Sequence, residues 1–533
     1  MAFKNFNGTL KSFPLAHLPT LALSIGTFSF WLELYVVRLP FGHTSWLAWG
    51  ILILCLFMLL TSRGWQLYLK QAVALLCHES LFLKVIAATA FFLGLVYLSV
   101  GLYASLLPPH LLQESDALTY HITLPRQHLL IHSFTHLTWS VPDLFLLPID
   151  YALSPFELAT TWPNKLIQFV FFAGCLGVVF HLVYILSGQV LHRAAMGVVA
   201  VMACHAVAIQ VGLAMLDLVM LYCFLAFIDS FLAKRWGLAA IEFAFFFWSK
   251  SFIPPQMMVI GAILGMVLYW ALKTGFSWQE LPIPDSRARK ILLAFFTVTS
   301  LAIALPHLIK AFYYTGTPLY PLGTGFYAPL MKYTPDHWQV LLQRAADCMS
   351  EKDSYGHGRS LLAFIKHFWL IAVPERGVNN AFDYPVGLVY LLVLVPWGGL
   401  VIKSLKYRKL PILSLIIVIW WLTWWFGSQQ SRFLLVPITL MIILTISYLP
   451  KISWVLTVLV IVSLGLEVIS LVDAHRHDWG KPLIKVIREK DRKLLELKPF
   501  QGKTELELNF EDVAFSQFPV TVHQDNSVYV LPK

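Results

Sequence analysis

The sequence predicts an all-α polytopic membrane protein with large non-cytoplasmic loops and a small C-terminal α/β tail. Three observations predict it. Of the 533 residues, 58% are hydrophobic and only 13% are charged, against roughly 25% charged in a soluble domain. Apolar runs long enough to cross a hydrocarbon core of about 30 Å, at about 1.5 Å per helical residue, recur along the chain. The basic residues behind the net charge of +10 fall in short clusters between those runs. That is the pattern of a positive-inside bias and not of a nucleic-acid surface, so the bilayer is an expected partner and nucleic acid is not.

In order, the expected spans are 18–38, 45–61, 84–107, 165–187, 194–212, 214–233, 237–254, 256–272, 291–313, 384–402, 411–427, 433–449 and 453–473, about thirteen transmembrane helices by length and hydropathy. Lys4 and Lys11 precede the first run, which lacks a small-residue cleavage site and reads as a retained span. Alternate connections collect Arg63, Lys70 and Lys84; Arg193; Lys234 and Arg235; Lys273, Arg287, Arg289 and Lys290; Lys403, Lys406, Arg408 and Lys409; and Lys451. Assigned to the cytoplasm, these connections put the N-terminus inside and the C-terminus outside a membrane expected to be the bacterial inner membrane. The chain then divides into an N-terminal hairpin with its cytoplasmic connection (1–83), a transmembrane core (84–473) and a non-cytoplasmic tail (474–533). Segments 108–164 and 314–383 become outer loops, the first an interfacial layer and the second a flexible lid. The tail turns from a charged stretch to alternating segments, Thr504 to Leu508 and Val520 to Val522, which suit a short helix and a few strands. Five of the six cysteines lie in or beside apolar runs and none forms a CxxC pair, so no disulfide framework or zinc knuckle is implied.

Ionisable residues beside spans are default site candidates, because polar groups at membrane depth are costly. The topology carries four groups to the outer side. Glu114 to His121, followed by Leu124, Pro125 and Arg126, opens the first large loop. Asp217 starts one span and Lys250 ends the next. Tyr314 to Pro321 and Gln429 to Phe433 sit at two further outer span ends. His121, His128, His132 and His136 add a histidine series, the last three at four-residue helical spacing, with Asp143 as an acidic partner.

Five phrases, in order over about residues 84–450, resemble the C-type glycosyltransferases (GT-C), in the bacterial branch similar to protein O-mannosyltransferases and lipid A aminoarabinose transferases. They are Asp116-Ala117-Leu118-Thr119-Tyr120-His121 with Leu124-Pro125, Leu216-Asp217-Leu218, Lys250, Thr315-Gly316-Thr317-Pro318-Leu319-Tyr320-Pro321, and Gln430-Ser431-Arg432-Phe433-Leu434-Leu435-Val436-Pro437. The resemblance implies a GT-C-like fold and inverting transfer of a sugar from a polyprenyl-phosphate donor to an envelope acceptor: lipid, glycan or protein. The chain departs from the family in the hairpin 18–61 and in Ser115-Asp116, which stands where the family has two adjacent acids.

The residue types suit that chemistry. A sugar held through C1 on a lipid phosphate already has its leaving group, so the enzyme must deprotonate an acceptor hydroxyl and stabilise the departing phosphate. Asp116 is the candidate general base; Asp217 is a second catalytic candidate that could orient the partners of Asp116, bind the acceptor or complete a metal site; Lys250, Arg432 and Arg126 are candidates for the donor phosphate; Tyr120, His121, Tyr320 and Gln430 are candidates for substrate contact. No cofactor is assigned, no metal ligand is named, and a divalent metal stays open. Plainer roles stand beside these: helix caps for Asp116 and Asp217, snorkelling for Lys250 and Arg432, a turn for Tyr314 to Pro321, an interfacial belt or a sugar platform for Trp420 to Trp425. A transporter or flippase of lipid-linked sugars is the alternative function. It should carry ionisable residues deep within several spans, where the sequence offers Glu33, Glu242 and Glu467.

Overall fold

The computed structural model describes residues 14–37, 43–60, 81–109, 114, 116–137, 140–157, 165–250, 260–271, 277–279, 282, 284–326, 330, 335–350, 355–373, 381–449, 454–476, 481–486, 503–504, 520–522 and 527–530, apart from a few single positions within them. Helices dominate. Those of the first half are α1 (Leu18–Leu32), α2 (His43–Leu60), α3 (Leu81–Leu106), α4 (Thr123–Ile131), α5 (Pro148–Leu153), α6 (Leu166–Leu186), α7 (Leu191–Met202), α8 (His205–Ala208), α9 (Asp217–Leu232) and α10 (Trp236–Phe247). Those of the second half are α11 (Ser286–Thr315), α12 (Pro335–Ser350), α13 (Leu361–Leu370), α14 (Leu388–Lys406), α15 (Ile412–Phe426), α16 (Leu435–Tyr448) and α17 (Trp454–Ala474). Among the described residues six helices are long and apolar enough to cross a membrane, Lys84–Leu106, Leu166–Leu186, Ser286–Thr315, Leu388–Lys406, Ser431–Tyr448 and Trp454–Ala474. The chain is thus an α-helical, multi-pass protein built for a lipid bilayer.

Burial separates the centre of the bundle from its rim. The span windows of α6 and α16 are 67% and 83% buried, against 17–28% for the other four, so α6 and α16 form the middle and the rest turn apolar faces to lipid. Without water to drive them together, such helices associate by close packing of small residues. Gly174 on α6 shows why: a Cβ there would lie 2.5 Å from the Pro19 ring and 2.9 Å from the Tyr222 ring.

The bundle has two ends, and chain contacts identify them without reference to charge. At one end strand β1 (Ser277–Gln279) pairs in parallel with β2 (Lys409–Pro411), and Arg193 at the start of α7 donates to the Ile446 and Ser447 carbonyls at 3.3 and 2.8 Å. Three basic connections therefore meet there. The starts of α9 and α16 and the end of α10 lie at the other end, where the candidate site forms.

The outer segments carry structure of their own. Within 108–164, Phe156, His128, Asp143 and Asp150 are fully buried, so this segment packs into the protein as well as following the outer ends of the spans. Segment 314–383 carries α12 and the apolar α13, joined to turns over 316–326 and 355–360. The expected run 194–212 breaks after Met202, where Cys204 takes an extended conformation before α8. Of the expected span 256–272, residues 260–271 are described, apart from two positions, and are helical. In the tail, β3 (Lys503–Thr504), β4 (Val520–Val522) and β5 (Ser527–Val530) form an antiparallel sheet ordered β3-β5-β4.

Candidate functional site

Asp116, Asp217, Lys250, Asp383 and Arg432, far apart in sequence, meet at one end of the bundle. Asp116 precedes a single π-helical turn, Ala117–His121, and makes no capping hydrogen bond. Its Oδ2 instead lies 3.4 Å from Arg432 Nη1, and Tyr120 hydrogen-bonds to it. Asp217 is in the first turn of α9, fully buried, and its Oδ1 accepts from Lys250 Nζ. Lys250 Nζ also stands 4.6 Å from the centre of the Phe433 ring, a cation over an aromatic face. Lys250 and Arg432 thus point inward to carboxylates, which sets aside snorkelling for both.

Arg432 is the hub. Its Nε donates to Gln430 Oε1 at 2.7 Å and stands 3.3 Å from Asp383 Oδ2. Asp383 was not singled out from the sequence. It has φ of +78°, left-handed backbone that Asp tolerates better than most residues. Ser431 secures it from both sides: its N–H donates to the Phe382 carbonyl at 2.7 Å, its hydroxyl donates to the Tyr384 carbonyl, and the Tyr384 N–H donates back to that hydroxyl at 3.2 Å. The available signal was the one that found Asp217, a charge at the outer end of an apolar run.

The tryptophan stretch on α15 buttresses this turn. Trp424 Nε1 donates to the Gln430 carbonyl at 2.7 Å and Trp420 Nε1 to the Phe433 carbonyl at 2.9 Å. Trp421 Nε1 donates to His367 on α13 at 2.7 Å. Trp420, Trp421, Trp424 and Trp425 are all buried, so they are neither a belt at the lipid surface nor an open sugar platform.

Electrostatics follow from this packing. Burial pushes the Asp116 carboxyl up, but Arg432, then His121 and Lys250, outweigh it and hold the group below the usual carboxylate range. Asp383 goes the other way: burial leads, the neighbouring Asp217 and Asp116 add to it, and Arg432 only partly offsets them, leaving the carboxyl at about 6.

The other sequence candidates scatter. His121 pairs with Asp150 at 2.5 Å, its ring 4.2 Å from that of Tyr120. Arg126 is partly buried on α4, where burial lowers its guanidinium to about 10. Tyr320 is buried apart from the cluster beside Leu144 and Leu341, its hydroxyl donating to the Leu341 carbonyl at 2.9 Å, which suits the plain turn. The helix carrying the histidine series ends at Ile131, with His132 left-handed at φ of +47° and exposed. His128 and His136 still converge on Asp143, at 2.7 and 3.1 Å, and Lys310 joins them at 2.8 Å. A lysine thus occupies the cation's place against that carboxylate. Among the described residues no group of three or more His, Cys, Asp and Glu could hold a metal.

Chemically, the cluster offers three carboxylates and two cations with donors to spare. An ammonium has three N–H groups and a guanidinium five; Lys250 directs one to Asp217, and Arg432 directs one to Gln430 and one to Asp116. No family model, curated protein or solved structure matches the chain, so it is this geometry that bears on what the protein does.

Proposed function

We propose that the protein is a GT-C-like membrane glycosyltransferase, with about thirteen spans, that moves a sugar from a polyprenyl-phosphate donor to an envelope acceptor at the non-cytoplasmic face. The observation that carries this reading is a carboxylate, Asp116, held at 3.4 Å from a cation, Arg432, which has further donors, beside a second cation, Lys250. The acceptor oxygen attacks C1 as the bond from C1 to the phosphate oxygen breaks. The acceptor proton passes to Asp116, and polyprenyl phosphate leaves with the bonding electrons. Lys250 and Arg432 meet the charge that develops on that phosphate. Donor binding also readies the base: a phosphate on Arg432 shares the charge that depresses the Asp116 carboxyl, and its basicity rises toward that of an ordinary carboxylate.

The test is transfer by the purified chain from a panel of polyprenyl-phosphate sugars. Asp116→Asn keeps the shape and removes the basicity, so transfer should fall by about a hundredfold or more. A normal rate for that variant overturns the assignment of the base.

One observation favours a second reading, transport of a lipid-linked sugar. A buried ionisable network surrounds Glu242 toward the basic end of the bundle: His17 bridges Glu242 at 2.7 Å and Asp229 at 3.1 Å, and Asp229 also holds His181 at 2.5 Å and Arg235 at 2.7 Å. Failure of the wild-type chain to consume any donor in the panel, with sugar-lipid movement in proteoliposomes, selects transport.

A further inference from the structure

The end of the bundle away from the candidate site holds a cavity of about 430 Å³ between α14, α15 and α16. Its wall combines Lys403, Ser404 and Tyr407 from α14 and its last turn, Ser414 from α15, and Leu444 and Tyr448 from α16. Lys403 and Tyr407 are four residues apart, as are Leu444 and Tyr448, so each pair shares one helix face. The wall therefore has a polar rim of one ammonium and several hydroxyls over an apolar floor. By helix length it lies roughly 20 Å along α16 from the turn bearing Arg432.

Three features specify the chemistry of an occupant. Among the described residues Lys403 has no carboxylate partner, unlike Lys250, Lys310 and Lys165, each of which is paired. The surroundings are basic, with Lys406 and Lys409 close in sequence and Arg193 anchored to the end of α16. Finally, Ile402, Leu405 and Tyr407 are 71%, 52% and 62% exposed, so the rim opens beside apolar surface that suits hydrocarbon. A soluble anion would use only the cation and hydroxyls; a lipid uses the floor and the apolar surface as well. A zwitterionic lipid brings its own cation to the phosphate, whereas an anionic one leaves that charge for Lys403.

We propose that this cavity binds the headgroup phosphate of an anionic phospholipid, with Lys403 as its counter-ion, the hydroxyls of Ser404 and Tyr407 as donors, and an acyl chain along the exposed Ile402 and Leu405. Basic pockets between membrane helices recognise such headgroups. The site is separate from the candidate transferase cluster and does not depend on its chemistry.

The experiment uses the full chain, purified and delipidated in neutral detergent, titrated with phosphatidylglycerol and with phosphatidylcholine of the same acyl length, and read by native mass spectrometry. The expected result is tighter binding of phosphatidylglycerol, weakened about fivefold by Lys403→Gln, one lysine's share of attraction to an anionic lipid. Lys406→Gln, exposed and not part of the cavity wall, should change it by less than about twofold. Tyr407→Phe, which removes a rim hydroxyl at an exposed position without touching the charge, should also weaken binding and covers the case in which Lys403→Gln does not fold. Equal binding of the two lipids, wild-type affinity in both cavity variants, or full displacement of the lipid by 10 mM inorganic phosphate, about the level of a strong free-anion competitor, each overturns the proposal; the last result makes it a free-phosphate site.

Discussion

Arg432 faces two carboxylates with opposite acid strengths, and this gives the candidate site a pH dependence of stated sign. Asp116 is held below the usual range and stays ionised in mild acid, whereas Asp383, at about 6, takes up a proton as pH falls from 7 to 5. Protonation removes one negative charge from beside Arg432, so an incoming phosphate should bind more tightly at pH 5 than at pH 7. The expected drop in donor KM is about tenfold, the equivalent of one pKa unit of interaction, with kcat less affected because Asp116 remains charged. Asp383→Asn should show the low KM at both pH values. A flat wild-type KM profile, or an unchanged slope in the variant, rejects the coupling. Asp116, Asp217, Lys250, Gln430 and Arg432 were legible in the sequence because charged and amide groups at span ends have few structural reasons to be there. Asp383 met the same criterion and was hidden by its place at the close of a long loop. Tyr320 lies apart from the cluster and His128 and His136 turn to Asp143, because short polar phrases do not say whether a ring will be buried.

Elements hold these residues in ways that spacing alone does not reveal. The hairpin 18–61, absent from the family resemblance, is no appendage. Gly26 of α1 lies against the Ala152 carbonyl of α5, where any Cβ would overlap it, and α5 belongs to the segment that also carries Asp150, the partner of His121. At the start of α1, His17 joins Asp229 on α9 and Glu242 on α10. Removing one partner of a buried charged network costs on the order of 3 kcal/mol, so His17→Ala should lower the Tm of the purified chain in detergent, while His17→Gln should recover part of the loss. Wild-type stability in His17→Ala would make the network dispensable. The π-helical turn Ala117–His121 and the turn Ser431–Leu434 set the meeting of Asp116 with Arg432. Trp424→Phe, which removes the donor to the Gln430 carbonyl, should loosen the second turn and raise donor KM by about tenfold, given roughly 1 kcal/mol or more for a lost buried hydrogen bond. An unaltered KM there separates the tryptophans from the site.

At the scale of the whole molecule, the two ends of the bundle predict a labelling pattern. Thr135 is exposed on the segment around the candidate site, and Lys406 is exposed at the basic end. In a background without the native cysteines, Thr135→Cys should react with an impermeant thiol reagent in intact cells, and Lys406→Cys only after permeabilisation. The reverse pattern inverts the orientation, and labelling of both in intact cells rejects the two-ended topology. By itself the sequence determined the membrane class and the helical character, and it singled out Asp116, Asp217, Lys250 and Arg432 as candidates. It could do so because bilayer thickness and the cost of buried charge act on composition and spacing, which are local. Only the tertiary structure decided that Arg432 bridges Asp116 and Asp383, that Lys250 turns to Asp217, that buried tryptophans brace the Gln430–Phe433 turn, and that Lys310 joins the histidines around Asp143. Those pairings join residues up to 316 positions apart, and helix packing, which no short window of sequence encodes, sets which of them meet.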